Sequence, residues 1–303
     1  VTATNNIFVG TASWTDKTLI KSGAFYPPGI DTAEGRLRFY ARHFSTVEVD
    51  STYYALPSEK NAALWVERTP PEFVFHIKAY SMLTGHPTLV KTIPRQLREE
   101  LPQETLAQSR IKDVPKAWVV KAMDLFRTAL IPLKAAGKLG CILFQFPPWF
   151  VPSPRAYAWM EMLREKLPGH HVAVEFRNTK WLSTTEMRRA TDFLKNQGIC
   201  YVAVDAPWIP RWEGPAPVTA PVAYVRLHGR NRKNWFKKGT ETAQRYRYLY
   251  TEAELGAWTV KVRQASTVAQ KTFVLFNNCF EDYGIRNAMT FRDLVRCLSK
   301  GLP

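Results

Sequence analysis

Cysteine is scarce and scattered in this chain. Cys141, Cys200, Cys279 and Cys297 are the only four in 303 residues, and no two form a CxxC pair. That argues against a zinc ribbon and a disulfide scaffold, and it fits a reducing compartment. Histidine is also sparse: the six are His43, His76, His86, His170, His171 and His228. With no HExxH or comparable spacing, a multinuclear zinc site has no support. No apolar run approaches the roughly 18–20 residues that cross a bilayer, so no membrane partner is expected. Residues 1–10 lack the basic-then-apolar layout of a signal peptide, and the expected location is cytoplasmic. Internal repeats and low-complexity tracts are absent. Negative charge is in shortest supply: 26 Asp+Glu stand against 42 Lys+Arg, a formal net charge of +16. Such an excess favours acidic partners without choosing among nucleic acid, phosphorylated ligands and anionic surfaces.

What remains is an ordinary globular composition, 46% hydrophobic and 22% charged, long enough for one large α/β barrel. Short β-branched or aromatic runs predict eight strands: 6–11, 46–50, 73–78, 140–146, 172–177, 200–205, 222–228 and 272–277. Helical stripes separate most of them. Leu37, Tyr40, Ala41 and Phe44 form one; Trp118, Ala122, Leu125, Phe126, Ala129 and Leu133 form a longer one. Ser153-Pro154 reads as a helix start. Ser183 with Glu186, and Thr251 with Glu254, have capping-box spacing, and Gly198 is placed to end a helix. Alternating strands and helices imply parallel pairing, and eight of them predict a single-domain (β/α)8 TIM-like barrel over residues 1–303. Two irregularities interrupt the pattern. Residues 81–115 form a long polar insertion after the third strand, with short helices expected near 94–100. Residues 206–221 carry five prolines and leave no room for a sixth helix.

Strand side chains alternate between faces. One parity is apolar in strand after strand. The other becomes polar near the C-terminal ends, giving Glu48 and Asp50, His76 and Lys78, Gln145, Glu175 and Arg177, Asp205, Arg226 and His228, and Asn277. In barrels this is the face that carries chemistry. Individual pairs such as Glu175–Arg177 or Asp50–Lys78 also read as structural ion pairs. The whole set, with its nearly cancelling charges, reads better as a ligand site, because apolar replacement of buried ion pairs is often at least as stable. No resident cofactor is evident. Glu48, Glu175, Asp205 and His228 would suit a single divalent ion, although their spacing matches no metal motif.

The positive charge is concentrated. Residues 226–247, RLHGRNRKNWFKKGTETAQRYR, hold eight basic residues against Glu241 alone, with Trp235, Phe236 and Tyr246 interleaved. Cations contact phosphates and aromatic faces stack on bases. The stretch begins at the end of the seventh strand, where barrels often bind phosphate. A solvated basic loop is the plainer reading of the same residues.

Taken in order, GTASW at 10–14, FYP at 25–27, VEVDSTYYALP at 47–57, FHIKAY at 75–80, LFQFPPWF at 143–150, VEFRN at 174–178, Trp181, YVRLHGR at 224–230 and FNN at 276–278 resemble the YecE-like family, the domain of unknown function 72. TGHP at 84–87, within the insertion, looks like one branch of it. The resemblance implies a TIM-like barrel and no established activity. It also implies a site drawn from Ser13, Trp14, Glu48, Ser51, Tyr53, Lys78, Gln145, Glu175, Arg177, Arg226, His228, Arg230, Asn277 and Asn278. Fold-level kinship with barrel endonucleases and sugar isomerases supplies no function by itself, and the shortage of histidine speaks against a zinc endonuclease.

Three functions fit these residues. The first is a protein that binds or processes a phosphate-bearing ligand such as nucleic acid or a nucleotide, with phosphate-ester hydrolysis as the reaction if it is an enzyme. Arg226, Arg230 and Arg232 would hold phosphate, Glu175 would be the base and His228 an acid or base. The second is a glycoside-processing enzyme using two of Glu48, Asp50, Glu175 and Asp205, with Trp14, Tyr53 and Trp235 stacking on sugar. The third is a non-catalytic nucleic-acid-binding protein. Structural readings stand beside these: a backbone-capping Gln145, rim packing for Trp149 and Trp181, a backbone-bound Asn277 or Asn278, and a satisfied core His76.

Overall fold

The computed structural model describes residues 6–210 and 214–299. Its strands follow the β-branched and aromatic runs: β1 (Ile7–Ala12), β2 (Thr46–Val49), β3 (Val74–Lys78), β4 (Leu139–Gln145), β5 (His171–Glu175), β6 (Cys200–Asp205), β7 (Val222–Leu227) and β8 (Lys271–Phe276). Each lies within two residues of its expected bounds. They close into a barrel in the order β1-β8-β7-β6-β5-β4-β3-β2, a TIM-like (β/α)8 architecture. The chief helices are α1 (Ala33–His43), α2 (Glu59–Glu67), α3 (Lys116–Ala129), α4 (Pro154–Lys166), α5 (Thr184–Gln197), α6 (Glu252–Ser266) and α7 (Tyr283–Ser299). Among the described residues no helix is long and apolar enough to cross a membrane.

Local signals account for the helix ends. Ser153 accepts from the Ala156 N–H with Pro154 in the first turn. Thr251 and Glu254 form a reciprocal capping box at α6. Gly198 takes φ +62 after α5, and its N–H bonds Lys195 O while Ile199 N–H bonds Leu194 O, the Schellman arrangement that satisfies terminal carbonyls. Glu186, at the start of α5, accepts a 2.5 Å bond from the Tyr157 hydroxyl. The expected Ala122, Phe126 and Ala129 of α3 are buried together with Val119 and Met123, whereas Trp118 and Leu125 are only half-buried. Pro132 lies in the first turn of a separate short helix, Ile131–Ala135, which carries Leu133. Within residues 206–221 no helix appears among the described residues; residues 211–213 lie outside them.

The chain divides into two compact units, Val1–Glu48 with Thr191–Pro303, and Val49–Ala190. In the first, β2-β1-β8-β7-β6 run parallel, with Ala12 opposite Glu48, Leu275 opposite Arg226 and Asp205 opposite Leu227. In the second, β3-β4-β5 run parallel, with Ile77 opposite Ile142 and Gln145 opposite Glu175. The insertion after β3 belongs to this second unit. It is ordered by a two-stranded ribbon, Thr88–Leu89 with Arg110–Ile111, and by short helices at Arg95–Arg98 and Gln103–Leu106. The ribbon had no signal in the sequence pattern.

Candidate functional site

The candidate residues fall into separate groups. In the first unit, Glu48 on β2 and Arg226 on β7 are both fully buried. Two strands, β1 and β8, lie between them, so the pair spans the inner face. Arg226 Nη2 donates to Glu48 Oε1 at 2.6 Å and Nε to Oε2 at 3.0 Å, while the Tyr224 hydroxyl donates to Oε2 at 2.7 Å. Both carboxylate oxygens are thereby engaged. Arg226 Nη1 lies 3.3 Å from His228 Nε2. Arginine can only donate, so Nε2 accepts and the neutral ring carries its proton on Nδ1. The Asn277 side-chain amide lies 2.8 Å from that nitrogen, and to accept its proton the amide must turn its oxygen toward the ring. Glu48, Arg226, His228 and Asn277 thus form one buried chain.

Above it stand rings. Trp208 lies 5.4 Å from His228, Trp235 lies 4.6 Å from Trp208, and Tyr246 lies 5.1 Å from Trp235 and 6.2 Å from His228. Trp208, Trp235 and Tyr246 are half-buried. The segment carrying the last two turns at Gly229, where φ is +87 and a Cβ would meet Tyr248 Cβ at 2.7 Å. The Gly229 N–H donates to the Tyr250 hydroxyl.

Asp205 belongs to a second cluster. Arg230 Nη2 donates to its Oδ2 at 2.6 Å, Nε contacts both oxygens at 3.0 Å, and Trp258 Nε1 on α6 donates to Oδ2 at 2.6 Å. Arg230 Nη1 continues to Glu254, which also accepts from the Tyr248 hydroxyl. Burial alone would raise the Glu254 carboxyl, but bonds from Tyr248 and Thr251 and the nearby guanidinium outweigh it and hold it below its usual value. Asp205 and Arg230 therefore tie the end of β6 to α6. Ser13 ends β1 in the left-handed region at φ 76, its N–H bonded to Glu48 O at 2.8 Å. Trp14 is buried beside it in the chain. Asn278 Nδ2 bonds Tyr248 O and Asn287 Oδ1, the structural role allowed for one of the two asparagines.

In the second unit, Lys78 Nζ lies 3.1 Å from Asp50 Oδ1 and 5.0 Å from the centre of the Tyr53 ring. Arg177 Nε donates to the fully buried Glu175 at 2.6 Å and Nη2 to Gln145 Oε1 at 2.8 Å. Gln145 thus serves a side chain here, where a backbone cap was expected. Ser51 is exposed. His86 was not among the sequence candidates. It packs against Tyr53 at 5.3 Å and Trp149 at 5.7 Å, and accepts or donates at Nδ1 to Thr84 Oγ1 at 2.8 Å. Burial, with Lys78 and Arg177 adding to it, pushes its pKa down to about 4. The TGHP segment carried its only signal. Trp181 is fully buried, as rim packing requires, whereas Trp149 is 60% exposed. His76 is a core residue whose Nδ1 accepts from the Cys141 N–H.

Among the described residues no three His, Cys, Asp or Glu side chains gather as a metal-binding group. The glycosidase reading needs a carboxyl group that holds a proton. Glu48 and Asp205 have donors on both oxygens and are each paired with an arginine, which favours the charged form that this role does not use. Arg232 and Lys233 are exposed on the short helix Arg232–Trp235, followed by exposed Lys237 and Lys238. Among the described residues none of these four has a carboxylate partner.

The chain is 31% identical over 278 residues to the UPF0759 protein YunF of Bacillus subtilis (strain 168), covering 90% of this chain and 88% of that one. In structure it resembles a DUF72 family protein from Thermotoga maritima MSB8, with a TM-score of 0.74 and 29% identity over 96% of this chain and 99% of that one. A DUF72 family protein from Enterococcus faecalis V583 shares the fold at a TM-score of 0.76, with 24% identity over 96% and 95% of the two chains. The family model described as protein of unknown function DUF72 matches residues 8–302, and with nearly the whole sequence so matched the chain belongs to the DUF72 family.

Proposed function

We propose that the protein binds a phosphate-bearing ligand, nucleic acid or a nucleotide, at the end of β7. The observation that carries this reading is the set of half-buried rings, Trp208, Trp235 and Tyr246, gathered around His228. Trp235 and Tyr246 share a segment with exposed cations that lack carboxylate partners among the described residues. Rings supply faces for bases, and unpaired cations release counterions from phosphates. Arg226 and Arg230 are already committed to carboxylates, so phosphate contact passes to Arg232, Lys233, Lys237 and Lys238. His228, held between Arg226 and Asn277, anchors the rings. Binding is therefore the role this geometry favours over proton transfer.

Titration of a single-stranded oligonucleotide at several salt concentrations tests the reading. Trp235→Ala should weaken binding by about 1–3 kcal/mol per stacked base. Lys233→Glu and Lys237→Glu should each lower the salt slope by about one. Glu175→Gln should leave affinity intact. Unchanged affinity and slope in all three ring and lip variants would refute it.

A further inference from the structure

The insertion of residues 81–115 and the loop after β4 line an open-sided cavity of about 370 Å³, within the ~300–1,000 Å³ range of small-molecule sites. It lies wholly in the second unit. Val119 of α3 and Ala156 of α4 line it, and Trp149 and Trp159 supply two indoles. The loop bearing Trp149 is not loosely packed: Phe150 stacks on Phe146 at 3.9 Å, and Phe150 O accepts from Trp181 Nε1 at 2.7 Å. Yet Trp149 itself is 60% exposed. A rigid loop that leaves an indole uncovered beside a cavity presents a flat apolar wall to a ligand.

The charge on the lining is specific. Lys112 and Arg155 are exposed at the cavity and bond no carboxylate among the described residues. Asp113 is the one acid there, so the lining carries a net positive charge. Flat apolar walls with a cationic rim match a planar aromatic body that ends in an anionic group. We propose that this cavity binds a small aromatic anion, an aryl carboxylate, sulfonate or phosphate, with the ring against Trp149 and the anion toward Arg155 and Lys112. Trp149 also packs on His86, and His86 on Tyr53, which lies under Lys78. A ligand on the indole therefore touches the wall of the polar cluster. The site shares no residue with the binding reading proposed above and stands or falls separately.

Calorimetric titration of the full chain with naphthalene-2-sulfonate tests it, with 2-naphthylmethanol as the uncharged counterpart. The expected result is saturable one-site binding at least tenfold tighter for the sulfonate. Trp149→Ala and Arg155→Glu, both at exposed positions, should each weaken it at least tenfold. Lys233→Glu in the other unit should leave it unchanged. Absence of saturation by about 1 mM, equal affinity for the uncharged compound, or indifference to both cavity variants would overturn the proposal.

Discussion

The two units differ in how completely they bury their strand-end ion pairs. The first places full charges in its interior and cancels them: Glu48 and Arg226 are both wholly buried, with every carboxylate oxygen engaged. The second keeps its strand-end pair at the margin, where Arg177 retains 12% of its exposure beside a buried Glu175, and keeps its buried histidine neutral. Burial, with nearby His171 adding to it, pushes the His76 pKa down to about 3. A cancelled pair depends on both members being present. A neutral buried group depends on pH. The Glu48–Arg226 pair and His76 should therefore fail under different insults.

The largest effect that would sharpen this contrast is Glu48→Ala. Removing one partner strands a buried guanidinium, and urea denaturation should show a loss of about 3–5 kcal/mol. Arg177 is the partly exposed member, so Arg177→Ala opens the buried Glu175 to water and should cost about 1–3 kcal/mol. Equal losses would break the comparison. The pH effect comes next. With its pKa lowered in the folded state, His76 binds fewer protons there than when unfolded. Its contribution is complete above pH 6.5 and is lost as pH falls toward 3. Between pH 7.5 and 5, ahead of most carboxylate titration, His76 alone should lower stability by about 2 kcal/mol, and His86 adds to the drop in the same direction. Urea midpoints at the two pH values would show it, and His76→Asn should shrink the difference. Trp258→Phe, which removes one donor from Asp205, should cost about 0.5–1.5 kcal/mol in the same assay. The smallest change is expected on the exposed lip, where Lys233→Glu with Lys237→Glu should move stability by no more than about 0.5 kcal/mol. A large drop there would mean that the lip, too, is part of the frame.

The fold was legible because its signals are local and periodic. Strand boundaries came from β-branched runs, and helix starts at Ser153 and Thr251 from side chains that satisfy nearby N–H groups. Parity placed Glu48, Arg226 and Glu175 among buried groups. Partner choice was not legible. Nothing at positions 205 and 258 announces that an aspartate and a tryptophan 53 residues apart will bond. His86 escaped notice for the same reason, since its neighbours Tyr53 and Trp149 come from distant segments. The lip was found by composition, yet composition could not separate Arg226 and Arg230, which are committed to carboxylates, from Arg232 and Lys233, which are not. That distinction depends on where the strand ends and the turn begins.

The turn is made at Gly229, pressed against Tyr248, with its N–H on the Tyr250 hydroxyl. The glycine and the two tyrosines act as a clasp on either side of the lip, and the buried Glu48–Arg226 lock lies outside it. Whatever is threaded between the halves of the clasp can be exchanged as a cassette. Replacing residues 231–247 with a segment of another charge should leave the Glu48–Arg226 lock in place, because neither member lies within the cassette.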